Sequence, residues 1–182
     1  MLNKSEKILL YGSNLWLFAD GMFGPLFAVF TEKIHGNILD ISWAWTIYLI
    51  VTGVLSIIIG KISDKVGQKQ LMVTGYALTA IFTFSFLLVS QPMHLFIVQV
   101  GLGVALALCN STWYALYSKN SDDNEAGYTW GLNDGQGKIC TAFAILIGGT
   151  IVSYSSFQTL FIIMGVIQTI ATIYIAQILN QP

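Results

Sequence analysis

The sequence predicts an all-helical integral membrane protein, and three observations carry that prediction. Only eight Lys and nine Asp or Glu occur in 182 residues that are 55% hydrophobic, where a soluble domain of this size would carry about 45 charged side chains. Six apolar runs of about 20 residues fill most of the chain, and about 20 helical residues cross a hydrocarbon core of ~30 Å. The lysines alternate between connections, six on one side and one on the other. That is the bias that orients membrane helices.

The expected spans are Leu9 to Phe30, Ile41 to Gly60, Leu71 to Val89, His94 to Tyr117, Gly127 to Val152 and Phe157 to Leu179. Together they make one six-helix domain over residues 1–182, with connections short enough to make neighbours antiparallel. Lys4, Lys7, Lys61, Lys65, Lys69 and Lys119 fall on one side and Lys33 on the other, while Lys138 lies within the fifth helix. Both termini are therefore expected in the cytoplasm, with the protein in the plasma membrane.

Lys4 and Lys7 ahead of Leu9 imitate a signal peptide, but the apolar run continues past Asp20 to Phe30 without a small-residue cleavage site, so a retained first helix is expected. Asp20 falls near its middle, where insertion of an ionised carboxylate costs at least ~2.5 kcal/mol. Such a residue faces a cavity or carries a proton. Ser13, Trp16, Phe23 and Phe27 share its face at helical spacing. Aromatic walls with one titratable group suit a cationic or amphiphilic solute, and a neutral Asp bonded to another helix is the structural alternative.

The second helix carries Gly53, Ser56 and Gly60 at a spacing that lets another backbone approach closely. Its connection to the third reads Gly60-Lys-Ile-Ser-Asp64-Lys65-Val-Gly67-Gln68-Lys69. This resembles the signature loop of the major facilitator superfamily: Gly, then Asp and a basic residue, then Gly followed by basic residues. In that pattern Gly60 permits close packing, Asp64 faces a helix N-terminus and Gly67 allows the reversal. Gln68 departs from it, and Lys stands throughout in place of Arg.

On the fourth helix Gln99, Gly103, Leu106, Asn110, Trp113 and Tyr117 share a face. The superfamily resemblance places this helix and the first around the central cavity, with Trp113 and Tyr117 as alternative members of an aromatic belt. Ile97 stands where the family has an Arg. The run Asp122, Asp123 and Glu125 solvates the next connection and favours the positive end of the helix that follows.

Gly127, Gly131 and Gly135 recur every fourth residue on the fifth helix. Packing within one protomer and packing between two both account for this stripe. Asp134 and Lys138 form an i,i+4 pair of opposite charge, read either as a structural ion pair or as a coupling group. Gly148-Gly149 stands alone where antiporters of the family carry a Gly-Pro motif. Gly60, Ile62 and Leu71 after the second helix match Gly149, Ile151 and Leu160 after the fifth, a faint mark of a three-plus-three inverted repeat.

The resemblance implies one half of a twelve-helix fold built from two six-helix halves. A parallel homodimer would rebuild the whole, with helix 2 of one half against helix 5 of the other. The expected function is secondary transport of a small molecule by alternating access, with proton coupling a further expectation; a non-transporting membrane scaffold or accessory subunit that pairs with another six-helix protein is the alternative. No metal or cofactor is expected, because His35 and His94 lack a third ligand at metal spacing. Cys109 and Cys140 sit in apolar runs as small hydrophobes. With no Arg and a net charge of −1, nucleic-acid binding is set aside. The absence of a phosphate-binding Gly-Lys-Ser/Thr loop, or of a Ser, His and Asp constellation outside the helices, argues against an enzyme.

Overall fold

A computed structural model describes residues 3–120 and 126–181, nearly all helical and with no strand among the described residues. Seven helices follow one another: α1 (Lys4–Gly21), α2 (Phe27–Lys33), α3 (Ile38–Val66), α4 (Gln68–Ser85), α5 (Pro92–Asn120), α6 (Ala126–Tyr154) and α7 (Phe157–Ala176). Asp122, Asp123 and Glu125 lie outside the described residues. The stretches Ile38–Val66, Gln68–Leu88, Pro92–Asn120, Gly127–Tyr154 and Phe157–Asn180 are long and apolar enough to cross a membrane. The first expected span is α1 continued by α2.

That first span is not one helix. Gly24–Leu26 forms a 3-10 turn with Pro25 inside it. Proline supplies no backbone N–H, and the bonds tighten to three-residue closures: Met22 N–H to Ala19 O at 3.3 Å, Phe23 N–H to Asp20 O at 3.2 Å, and Leu26 N–H to Phe23 O at 2.9 Å. Asp20 thereby sits in the last turn of α1, beside the break.

Helix starts follow local chemistry. Asn3 and Glu6 close a capping box on α1, Asn37 and Asp40 another on α3, and Ser156 caps α7. Gly67 alone separates α3 from α4, at φ 100°, a backbone conformation that L side chains rarely adopt. Helix α3 runs to Val66, beyond the expected end at Gly60, so Asp64 and Lys65 occupy its last turn instead of a loop. A polar helical end projecting past the apolar run explains the difference, since apolarity marks the membrane crossing and not the helix end.

The main packing contacts pair α3 with α5, α5 with α4, α4 with α7, α7 with α1, and α1 with α6, while α1 also touches α5 at the centre. Written as transmembrane segments, the neighbour order is second, fourth, third, sixth, first, fifth. Exchanging the first three segments with the last three returns the same order reversed, the property of an inverted repeat. The second and fifth segments, α3 and α6, are consequently the edges of the bundle. Only 6% of the most apolar window of α3 and 17% of that of α6 are buried, against 44% for α5.

The core has two parts. At one end Phe23, Phe27, Phe30, Phe86, Phe157 and Phe161 pack ring on ring, Phe23 meeting Phe86 and Phe161 with centroids 5.1 Å apart. At the other end Met72, Tyr76, Trp113, Tyr117 and Ile175 form a second cluster. Asn3 Nδ2 donates to Asn120 O at 2.8 Å and Lys69 Nζ to Gln181 O at 2.7 Å. Those bonds gather both chain ends and the lysine-rich α3–α4 turn at one end, while Lys33 lies over the Phe157 ring at the other, 5.3 Å from its centroid.

Candidate functional site

Two cavities lie along α1. The outer one, about 80 Å³, is lined by Trp16, Asp20, Phe23 and Phe27 from the first span, Trp45 and Tyr48 from α3, Thr79 and Thr83 from α4, and Gln99 from α5. Helical spacing puts Trp16, Asp20 and Phe23 on one face, and the break turns Gly24 and Phe27 into the same space. Asp20 is exposed there and is the only charged residue in the lining. No described residue bonds to its carboxylate. Position adds to its cost as an ion: a carboxylate in the last turn of a helix meets the negative end of the helix dipole.

The inner cavity, about 110 Å³, is lined by Ser13, Trp16, Tyr76, Asn110, Trp113 and Asn133 among others, with no charged side chain. Trp113 and Tyr117 are 6% and 0% exposed. The Trp113 indole N–H donates to Leu9 O at 3.3 Å, and its ring stacks on Tyr117 at 4.6 Å. Tyr117 Oη donates to Thr129 O at 3.0 Å. Both rings therefore tie α5 to α1 and α6, and Trp113 offers the cavity only its ring.

Asp134 and Lys138 are ion-paired with each other, with side chains 67% and 72% exposed. They line a wider cleft between α1 and α6 that shares Leu17, Tyr114 and Asn133 with the inner cavity and no residue with the outer one. Asp20 and this pair thus belong to different clefts.

The glycines of the α6 stripe stand in open space within this chain. A Cβ added at Gly127, Gly131 or Gly135 meets nothing within 4 Å, and the same is true of Gly53 and Gly60 on α3. These positions pack against nothing within the half. Ser56, by contrast, accepts through its carbonyl from Ser111 Oγ at 3.3 Å, at the border with α5.

At the lysine-rich end, Gln68 Nε2 donates to Asp64 Oδ1 and Lys119 Nζ donates to Gln68 Oε1, each at 2.9 Å. The residue that departs from the family loop is a neutral bridge from the last turn of α3 to the end of α5. Lys65 is exposed, and Lys69 is held by the Gln181 carbonyl. Among the described residues no group of His, Cys, Asp and Glu could hold a metal ion, and both cysteines are free.

Trp45, Tyr48, Thr79 and Thr83 are cavity residues that sequence reasoning passed over. The signal available was three- and four-residue spacing of polar or aromatic groups inside apolar runs. Such spacing does not distinguish a cavity from a packed neighbour.

Residues 9–180 match the family model described as Major Facilitator Superfamily. Relatives named Multidrug resistance protein MdtG from Escherichia coli O1:K1 / APEC, Escherichia coli O139:H28 (strain E24377A / ETEC) and Escherichia coli (strain K12 / DH10B) are each 21% identical over 160 residues. The match covers 86% of this chain and 39% of each relative. The chain spans well under half the length of the curated relatives it matches.

Proposed function

The chain belongs to the Major Facilitator Superfamily, and from that premise we propose that it is one six-helix half of a secondary transporter. It moves a small cationic or amphiphilic molecule by alternating access, with a second copy as the other half. The observation that carries this reading is Asp20: one unpaired carboxylate in an aromatic cavity, in a chain whose other helices are apolar enough to cross a membrane. A proton or a cationic solute lowers the cost of closing the cavity over that charge, so the two exchange. The multidrug label on the relatives favours a site that accepts several amphiphiles. Asp134 and Lys138, paired with each other and outside this cavity, are a secondary candidate for coupling. Solute uptake and efflux in proteoliposomes, with subunit mass measured in detergent, test the reading; a chain that moves no organic cation in either direction refutes it.

Edge exposure supports the second copy. A two-fold axis along the membrane normal brings α3 of each chain to α6 of the other, since a self-complementary interface pairs i with j and j with i. Gly53 and Gly60 then face Gly127, Gly131 and Gly135, all open within the half. Lysine placement puts both termini and this contact on the cytoplasmic side of the plasma membrane. Cysteines introduced by Gly53→Cys and Gly131→Cys, in a background lacking Cys109 and Cys140, are expected to join two chains on oxidation. Transport by single chains, or no cross-link, overturns the homodimer.

Asp64 is proposed to meet the N-terminal turn of the partner's α6, around Gly127, and to favour the state closed to the inside. A carboxylate at such a site contributes roughly 0.3 to 2 kcal/mol. Asp64→Asn is therefore expected to shift the population towards inward-open by about two- to thirty-fold, read as spectroscopic distances across the cytoplasmic mouth. Unchanged distances would reduce Asp64 to a tether for Gln68.

A further inference from the structure

Among the described residues, Trp16 alone lines both cavities. Its indole N–H is buried and finds no acceptor among the described residues, whereas the other indole in the inner cavity, that of Trp113, is already bonded to Leu9. Tyr76 packs edge-on to the Trp16 ring at 6.5 Å and 71°, which holds it between the two spaces. The order of the walls is the same on three helices. Asp20 gives way to Ser13 on α1, Thr79 to Tyr76 on α4, and Gln99 to Asn110 on α5. With 1.5 Å of rise per residue, Trp16 and Asp20 are about 6 Å apart along α1, and Ser13 and Asp20 about 10 Å. One chamber carries a charge, and the other is lined by neutral polar and aromatic side chains.

We propose that the inner cavity is a second, neutral subsite that takes a hydrogen-bond acceptor of the solute, a carbonyl or ether oxygen, on the Trp16 N–H. The Trp16 ring divides this subsite from the Asp20 chamber. The inference rests on the transport reading and narrows its substrate class to organic cations that carry an acceptor about 6 Å from the charge. Its physical basis is that a buried donor without a partner is costly, and a solute oxygen that accepts from it removes the cost. Two chambers with different chemistry also give a solute two points of attachment, which fixes its orientation along α1.

The test is equilibrium binding to the full chain in nanodiscs with two trimethylammonium probes of equal chain length. One probe is purely alkyl and the other carries a ketone about 6 Å from nitrogen. The readout is the ratio of their affinities, so a general loss of binding cancels. The wild type is expected to prefer the ketone by about ten-fold, and Trp16→Phe, which keeps a ring and removes the N–H, to erase that preference. Asn133→Leu crowds the inner cavity from α6 and keeps the Trp16 N–H, and is expected to reduce the same ratio. Asp20→Asn should weaken both probes together. If the wild type binds both probes equally, or if Trp16→Phe and Asn133→Leu leave the ratio intact, the subsite is wrong while the transport reading stands. If neither probe binds and proteoliposomes move no cation, the transport reading fails and the subsite with it.

Discussion

Asp20→Asn is expected to abolish accumulation of a cationic solute driven by a pH gradient, while leaving the protein folded and its oligomeric state unchanged. The carboxylate makes no bond to a described residue and stands exposed in the outer cavity, so an amide of the same shape removes no packing and breaks no internal partner. What it removes is the only ionisable charge in that lining. With the charge gone, a proton no longer competes with the solute, and pH-driven accumulation should fall to the passive level. Downhill exchange of solute would survive at reduced affinity, because the aromatic walls Trp16, Phe23 and Trp45 remain. Proteoliposomes with an imposed pH gradient separate the two quantities. A variant that still concentrates solute with unchanged pH dependence would move the coupling role to Asp134 and Lys138.

The second large effect is on stability. Gly148 lies on α6 where that helix crosses the broken first span, and a methyl group added there would overlap the Met22 carbonyl oxygen and sit 2.8 Å from its carbon. Backbone does not yield as a flexible side chain does, so α1 and α6 would have to separate. Overpacking of this kind typically costs about 1 to 3 kcal/mol, and sometimes more. Gly149, one residue on, meets nothing within 4 Å, and an alanine there should be neutral or stabilising by up to ~1 kcal/mol through helix propensity. Thermal unfolding in the same detergent is expected to place Gly148→Ala well below the wild type and Gly149→Ala at or above it. Equal melting temperatures for the two variants would show that the α1–α6 crossing does not stabilise the half. Because Met22 follows Asp20 closely, Gly148→Ala should also reduce solute binding.

Much of the candidate site was legible, though unevenly. Asp20 stood out because a carboxylate in the middle of an apolar run is costly wherever the helix packs. Its partners on α1 followed from spacing alone. The reversal within the stretch from Gly60 to Lys69 was legible through local backbone needs that Gly67 meets, although the stretch itself is helical on both sides of it. Gln68 could be recognised as a departure, but its two hydrogen bonds join residues 64 and 119. No local pattern specifies that contact. Trp113 and Tyr117 were assigned to one face correctly as a matter of spacing, while their engagement with Leu9 and Thr129 depends on where α1 and α6 lie.

The sequence by itself determined that this chain crosses a membrane as helices, which residues end up at the lysine-rich end, and where the costly charges lie. Those properties depend on runs of about 20 apolar residues, on caps and on single glycines, all local. Only the tertiary structure decided which faces meet: that α3 and α6 are edges, that Gly53, Gly60, Gly127, Gly131 and Gly135 are open, that Gly148 touches Met22, and that Trp16 lines two cavities. The reason is the solvent. In water a helix marks its buried face by polarity, but lipid tails and neighbouring helices are equally apolar, so a membrane helix shows little contrast around its circumference. Direction is then settled by the fit of small against large side chains between segments far apart in the chain.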